Sequence, residues 1–202
     1  MKIICIGRNY AEHAKELNNP VPEEPVIFMK PKSAIARPGA PIHYPEFTDN
    51  LQYECEVVLR VCKNGRQIPE RFARQYFDAW TVGIDFTARD VQAKLKAKGL
   101  PWEIAKGFDN SAAVGRFIPF DPGELYGASF SLMVNKETVQ RGHTSDLLFS
   151  FEKIISYVSN YFTLQIGDLI FTGTPKGVGA VLPFDSLEGY LNNEKLLEVE
   201  IR

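Results

Sequence analysis

Glu54 and Glu56 stand two residues apart inside Tyr53 to Arg60, a stretch of strand composition. Successive strand side chains alternate faces, so the two carboxylates share one face while Tyr53, Cys55, Val57 and Leu59 share the other. Adjacent carboxylates repel, and a strand that carries them needs something cationic on that face. Asp85 adds a third acid in a second apolar stretch, between Ile84 and Phe86, where an unpaired charge is costly. A divalent ion is the simplest neutraliser, and hard carboxylate oxygens favour Mg²⁺, Mn²⁺ or Ca²⁺ over zinc. A Glu-x-Glu pair on a solvated antiparallel face needs no ion. The metal reading therefore rests on all three acids, with a polar helix start directly after Asp85.

Thr87 and Asp90 have capping-box spacing, Val91 and Leu95 share a helical face, and Gly99-Leu100-Pro101 closes the segment. Together they predict a helix from Thr87 to Lys98. Strands are expected near 3–6, 26–30, 53–62, 79–87, 129–135, 169–172, 186–191 and 196–201. Asn9 is placed to cap a helix from Tyr10 to Leu17, which Asn18-Asn19-Pro20 stops. The Pro-rich run 31–45 suits turns and short edge strands, Asn135-Lys136 suits a hairpin turn, and 101–125 reads as irregular. Leu147, Phe151, Ile154, Ile155, Val158, Tyr161 and Phe162 recur at helical spacing, so 150–162 is an amphipathic helix facing the core. Many strands with few helices, not in alternation, argue for a β-rich α+β fold over a doubly wound sheet.

With 202 residues, 1–202 is expected to be a single domain. A net charge of −2 offers no footprint for nucleic acid or an anionic membrane. Cys5, Cys55 and Cys62 are few and odd in number, which suits reduced thiols and a cytoplasmic location. No apolar run approaches transmembrane length.

Among the three histidines, His13 has Glu16 three residues on, on the same helical face. A carboxylate beside an imidazole orients it and raises its basicity, as a water-activating base requires; the alternative is an incidental pair on a solvated face. Lys30 and Lys106 lie in apolar settings, where lysines commonly snorkel to the surface. Charge arithmetic offers them another role. Three carboxylates around one divalent ion leave a net negative charge, so an anionic ligand requires nearby cations, and Lys30, Arg89 and Lys106 are the candidates. Phe171 to Gly179 is a Gly-rich turn with amides and hydroxyls available to an anion, though its order of Gly, Lys and Thr is not that of a Walker A loop.

Assembled, these motifs resemble the fumarylacetoacetate hydrolase family in its short branch of acylpyruvase and oxaloacetate decarboxylase-like enzymes. The resemblance runs from Gly7-Arg8-Asn9-Tyr10 through Glu54-Cys55-Glu56, Asp85 to Gln92, Pro101-Trp102 and Ala105-Lys106. It continues through Thr144-Ser145, Ile155 to Ser159 and Gly167-Asp168 to Thr172–Gly179. It implies a mixed β-roll, a homodimer, and Mg²⁺ or Mn²⁺ held by Glu54, Glu56 and Asp85. It implies that Arg89, Gln92, Lys106 and Thr174 contact a 2-oxo acid with Lys30 nearby, and that His13 and Glu16 form a dyad on a lid helix within residues 1–20. Retention of that dyad favours hydrolytic cleavage of the C3–C4 bond of acylpyruvates, with decarboxylation of oxaloacetate on the same site. Hydratase or isomerase action on unsaturated 2-oxo acids is the alternative within the family, and a non-catalytic metal-binding module the alternative outside it. Residues 19–25 and 109–127 match least and are expected to shape the pocket.

Overall fold

A computed structural model describes residues 1–16, 20–119, 123 and 125–202. Strand β1 (Ile3–Gly7) leads through helix α1 (Ala11–Glu16) to β2 (Val26–Lys30), β3 (Leu51–Tyr53) and β4 (Cys55–Val61). A short α2 (Glu70–Ala73) precedes β5 (Phe77–Asp85), β6 (Thr87–Ala88), α3 (Arg89–Ala97) and α4 (Glu103–Lys106). Next come β7 (Ala112–Val114), β8 (Ile118–Pro119), β9 (Ser129–Val134), β10 (Glu137–His143) and α5 (Phe151–Tyr161). Strands β11 (Leu169–Phe171), β12 (Gly179–Ala180), β13 (Ser186–Leu191) and β14 (Glu194–Glu200) complete the set.

Among the described residues the strands form three sheets. The largest runs β2-β1-β11-β4-β5-β7, with β8 also on β5; a second runs β10-β9-β13-β14 and a third β12-β3-β6. Among the described residues only β1 and β11 pair in parallel within the large sheet, so it is mixed, and the molecule has the sheet-rich α+β class expected.

Alternation along β4 and β5 divides the large sheet into two faces. Cys55, Val57, Leu59, Trp80, Val82 and Ile84 enter the main core with Ile4 and Ile6. Val58 joins a smaller cluster with Ile3, Cys5, Leu169 and Phe171 on the other face. Helix α5 closes the main core with Phe151, Ile154, Ile155 and Val158, all fully buried. Its N-cap is Ser150, whose Oγ accepts from Lys153 N at 3.1 Å. Phe151 meets Phe77 edge-on at 6.2 Å, and truncating such a ring to Ala costs about 3–5 kcal/mol.

The expected strand 53–62 is broken at Glu54, and the expected strand 79–87 at Phe86. The physical cause is a change of sheet. Before Glu54 and after Phe86 the chain pairs in the three-stranded sheet, Leu51 with Ala88 and Gln52 with Thr87. The helix after Asp85 begins at Arg89, and the Thr87–Asp90 capping box does not form: Thr87 Oγ1 donates to Glu54 Oε1 at 3.0 Å, while Asp90 accepts from Thr48. Asn9 likewise spends its side chain elsewhere, donating to Thr172 O at 2.8 Å and accepting from Phe149 N at 2.7 Å. The expected end of the first helix, Leu17 with its stop at Asn18-Asn19, lies outside the described residues. The 101–125 stretch is less irregular than expected, since it holds α4, β7 and β8. The Asn135-Lys136 turn is present, both residues with positive φ, joining β9 to β10. All three cysteines are free thiols. Among the described residues no helix is long and apolar enough to cross a membrane.

Candidate active site

The step between sheets is what gathers the acids. In the β4–β5 ladder Cys55 faces Ile84 and Glu56 faces Gly83, and Asp85 N donates to Glu54 O at 2.9 Å. Carboxylate oxygens of Glu54, Glu56 and Asp85 thus come within 4.8 Å of one another, all three residues buried. Gly83 is needed beside them: a Cβ there would lie 2.7 Å from Val58 Cγ2 and 2.9 Å from Ala113 O.

Cations surround the cluster. Lys106 Nζ donates to Glu54 Oε2 at 2.9 Å and to Asp85 Oδ2 at 2.8 Å, and Arg89 Nη2 donates to Glu54 Oε1. Burial alone would raise the Glu54 pKa, but Lys106 and Arg89 hold it well below the usual carboxylate range. Among the described residues Glu56 has no such cation in contact and accepts only from Gly173 N, at 2.7 Å. Burial, then the Asp85 and Glu54 charges, push its carboxyl well above the usual range.

Lys30 Nζ lies 2.7 Å from Asp85 Oδ1, but it directs its protons to the carbonyls of Phe86 at 3.2 Å, Ser111 at 3.0 Å and Lys106. A lysine has three donors. Among the described residues Asp85 Oδ1 is consequently left buried with no hydrogen bond, its charge met by the neighbouring Lys30 ammonium. A buried oxygen with free lone pairs, among hard carboxylate donors, fits a divalent cation of the Mg²⁺ or Mn²⁺ kind.

Seven of the ten residues singled out from the sequence line one cavity: His13, Glu54, Glu56, Arg89, Gln92, Lys106 and Thr174. The other three, Glu16, Lys30 and Asp85, contact members of that set directly. Arg89 is held by Gln52 and Gln92, with its Nε and Nη1 each 2.7 Å from a side-chain oxygen. His13 Nδ1 lies 3.3 Å from Glu16 Oε2, and Gly177 N donates to Glu16 Oε1 at 3.0 Å. The amides of the Gly-rich turn do engage anions, namely the Glu56 and Glu16 carboxylates. Burial lowers the His13 pKa, outweighing the upward pull of Glu54 and Glu16, so the imidazole is neutral at pH 7.

Gln140 on β10 was not foreseen. Its Oε1 accepts from Cys55 N at 2.9 Å, and its Nε2 donates to Thr174 Oγ1 at 2.9 Å and Pro175 O at 3.0 Å. It ties β4 to the Thr174 turn. A polar residue at the inward position of a hairpin strand was the available signal.

The sequence matches the fumarylacetoacetate (FAA) hydrolase C-terminal family over residues 2–202. The chain belongs to that family. It is 46% identical to the mitochondrial oxaloacetate tautomerase FAHD1 of Rattus norvegicus over 187 residues, 92% of this chain and 85% of the relative. It is 46% identical to that of Arabidopsis thaliana over 184 residues, covering 89% of this chain and 81% of the relative. The fold matches a fumarylpyruvate hydrolase of Pseudomonas aeruginosa, solved with Mn²⁺ and pyruvate, at a TM-score of 0.93 and 38% identity, covering 100% of this chain and 89% of that one. It also matches a 5-carboxymethyl-2-hydroxymuconate delta-isomerase of Mycobacterium smegmatis at a TM-score of 0.87 and 33% identity, covering 99% and 78%. These relatives are enzymes, and membership of this family makes the chain an enzyme rather than a binding module.

Proposed function

We propose that this member of the family is a divalent-metal-dependent hydrolase that cleaves the C3–C4 bond of acylpyruvates, giving pyruvate and a carboxylic acid. The observation that carries the reading is His13 lining the same cavity as Glu54 and Glu56, with its Nδ1 beside the Glu16 carboxylate. A carboxylate only accepts, so Nδ1 carries the proton and Nε2 keeps its lone pair. Glu54, Glu56 and Asp85 would hold Mg²⁺ or Mn²⁺, which when bound supplies Lewis acidity toward a 2-oxo acid. The Mn²⁺ and pyruvate in the Pseudomonas relative support this assignment.

The protein's own groups then divide the work. Arg89, braced by Gln52 and Gln92, binds the C1 carboxylate, and the Thr174 hydroxyl, oriented by Gln140, fixes the same end. His13 Nε2 removes a proton from water as the water oxygen bonds to C4. The C3–C4 bond breaks, its electron pair delocalises from C3 onto the C2 oxygen, and C4 leaves with the new oxygen as a carboxylic acid. Lys106 places a positive charge beside the electron-rich fragment, whose protonation at C3 yields pyruvate.

Identity to the oxaloacetate tautomerases favours a second activity at the same atoms. Moving a proton between C3 and the C2 oxygen of oxaloacetate needs no water attack, and neither does loss of its C4 group as CO₂. Incubating the Mg²⁺-loaded protein with acetylpyruvate, oxaloacetate and an unsaturated 2-oxo diacid separates these readings. Release of pyruvate from acetylpyruvate is the expected result; an isomerised or hydrated diacid with acetylpyruvate intact would transfer the assignment to the isomerase and hydratase group.

A further inference from the structure

Two cations in the cavity take no part in that chemistry. Arg8 and Lys96 line it together with His13, Phe28 and Trp102. Both side chains are half-buried, and neither contacts a carboxylate among the described residues. Lys30, Lys106 and Arg89, by contrast, each touch an acid. Those three cations already balance Glu54, Glu56 and Asp85, so Arg8 and Lys96 are in excess even before a metal ion adds its charge.

Their placement is specific. Arg8 has φ 60, a left-handed backbone that a residue with a Cβ keeps only when its surroundings impose it. The Lys96 ammonium sits 5.2 Å from the Trp102 ring centroid, Trp102 sits 6.0 Å from Phe28, and Lys106 Nζ sits 5.0 Å from Phe28. Two aromatic rings therefore form an apolar wall between one ammonium at the acids and another away from them. Burial, then the Arg8 and Arg89 charges, lower the Lys96 pKa, outweighing the opposing pull of Glu54, so like charges predominate around it.

We propose that Arg8 and Lys96 form a second anion subsite that takes the distal carboxylate of a dicarboxylic 2-oxo acid. This rests on the 2-oxo acid reading above and narrows it. The substrate is anionic at both ends, with its carbon chain along Phe28 and Trp102. Charge-assisted contacts at both ends then favour diacids over acylpyruvates with a neutral tail.

The test compares wild type with R8N, K96M and the double variant. Asn accepts the left-handed backbone, and Met keeps the side-chain stem over Trp102. Calorimetry on the Mn²⁺-loaded proteins gives the dissociation constants of 2-oxoadipate and pyruvate; steady-state kinetics compare fumarylpyruvate with acetylpyruvate. The double variant should bind 2-oxoadipate at least about tenfold more weakly with pyruvate within about twofold. KM for fumarylpyruvate should rise similarly, with kcat and the acetylpyruvate constants little changed. Equal loss for both ligands, no loss for 2-oxoadipate, or no wild-type binding of 2-oxoadipate overturns the subsite. Should wild type turn over neither substrate, the reaction assignment falls, while the calorimetric ratio still decides the role of Arg8 and Lys96.

Discussion

Lys106 Nζ bridges Glu54 and Asp85, 2.9 Å from one carboxylate and 2.8 Å from the other. Burial works against its ammonium, but the Asp85 and Glu54 charges outweigh burial and raise its pKa. Lys106→Met removes one partner of a buried pair, at an expected cost of about 3–5 kcal/mol near pH 7. The raised Lys106 pKa means its contribution is complete below the usual lysine value and is lost only at strongly alkaline pH. The depressed Glu54 pKa means the carboxylate's share is present above 4.5 and lost as pH falls through the folded value. Thermal unfolding at pH 7 and again below pH 4 should therefore show the gap between wild type and variant narrowing with acid. A gap that widens contradicts the ion-pair account.

Because burial keeps the His13 pKa below its usual 6.5, a base at this position stays neutral to lower pH than a solvated histidine. The acid limb of kcat/KM for acetylpyruvate should lie below pH 6.5. His13→Ala should lower hydrolysis by about 10²–10⁴-fold and spare oxaloacetate turnover. Glu16→Gln removes an upward influence on the imidazole, so the limb should move further to acid as the rate falls. Equal losses on both substrates in His13→Ala would remove the water-activation role.

Gly173 has φ 107, and a Cβ there would sit 2.7 Å from Asn9 Cβ, while its N–H donates to Glu56. Gly173→Ala must move that turn or Asn9, whose amide clamps Thr172 and Phe149. Unfolding should show a loss of about 1–3 kcal/mol, accompanied by weaker Mn²⁺ binding. Full metal affinity in a destabilised variant would mean that the Gly173 amide does not position Glu56.

Much of the site was legible because its acids lie on strands, or at the step between two of them, in sequence with a clear two-residue period. Glu54 and Glu56 share a face by alternation, and Asp85 stands out as a charge among Val82, Ile84 and Phe86. The strand breaks at Glu54 and Phe86 were not legible, because composition does not show which sheet a strand pairs with. The capping signals at Asn9 and Thr87 misled for a related reason: a side chain that satisfies local spacing can be claimed by a tertiary partner, here Thr172 and Glu54. Gln140 is 85 residues from Cys55, a separation at which spacing carries no information. Arg8 and Lys96 became visible only when the cavity showed which cations lack an acid.

Glu54, Glu56 and Asp85 are proposed to bind one divalent ion that the chemistry requires. Glu56 is the position to test, since among the described residues no cation contacts it and Glu56→Gln removes a carboxylate oxygen without stranding an ion pair. Calorimetric titration of chelator-stripped protein with Mn²⁺ should show one saturable site per wild-type chain. In Glu56→Gln that site should be weakened by about tenfold or more, and acetylpyruvate and oxaloacetate turnover should both be lost. Wild-type protein that binds no Mn²⁺, or a Glu56→Gln variant with undiminished affinity and turnover, would contradict the account.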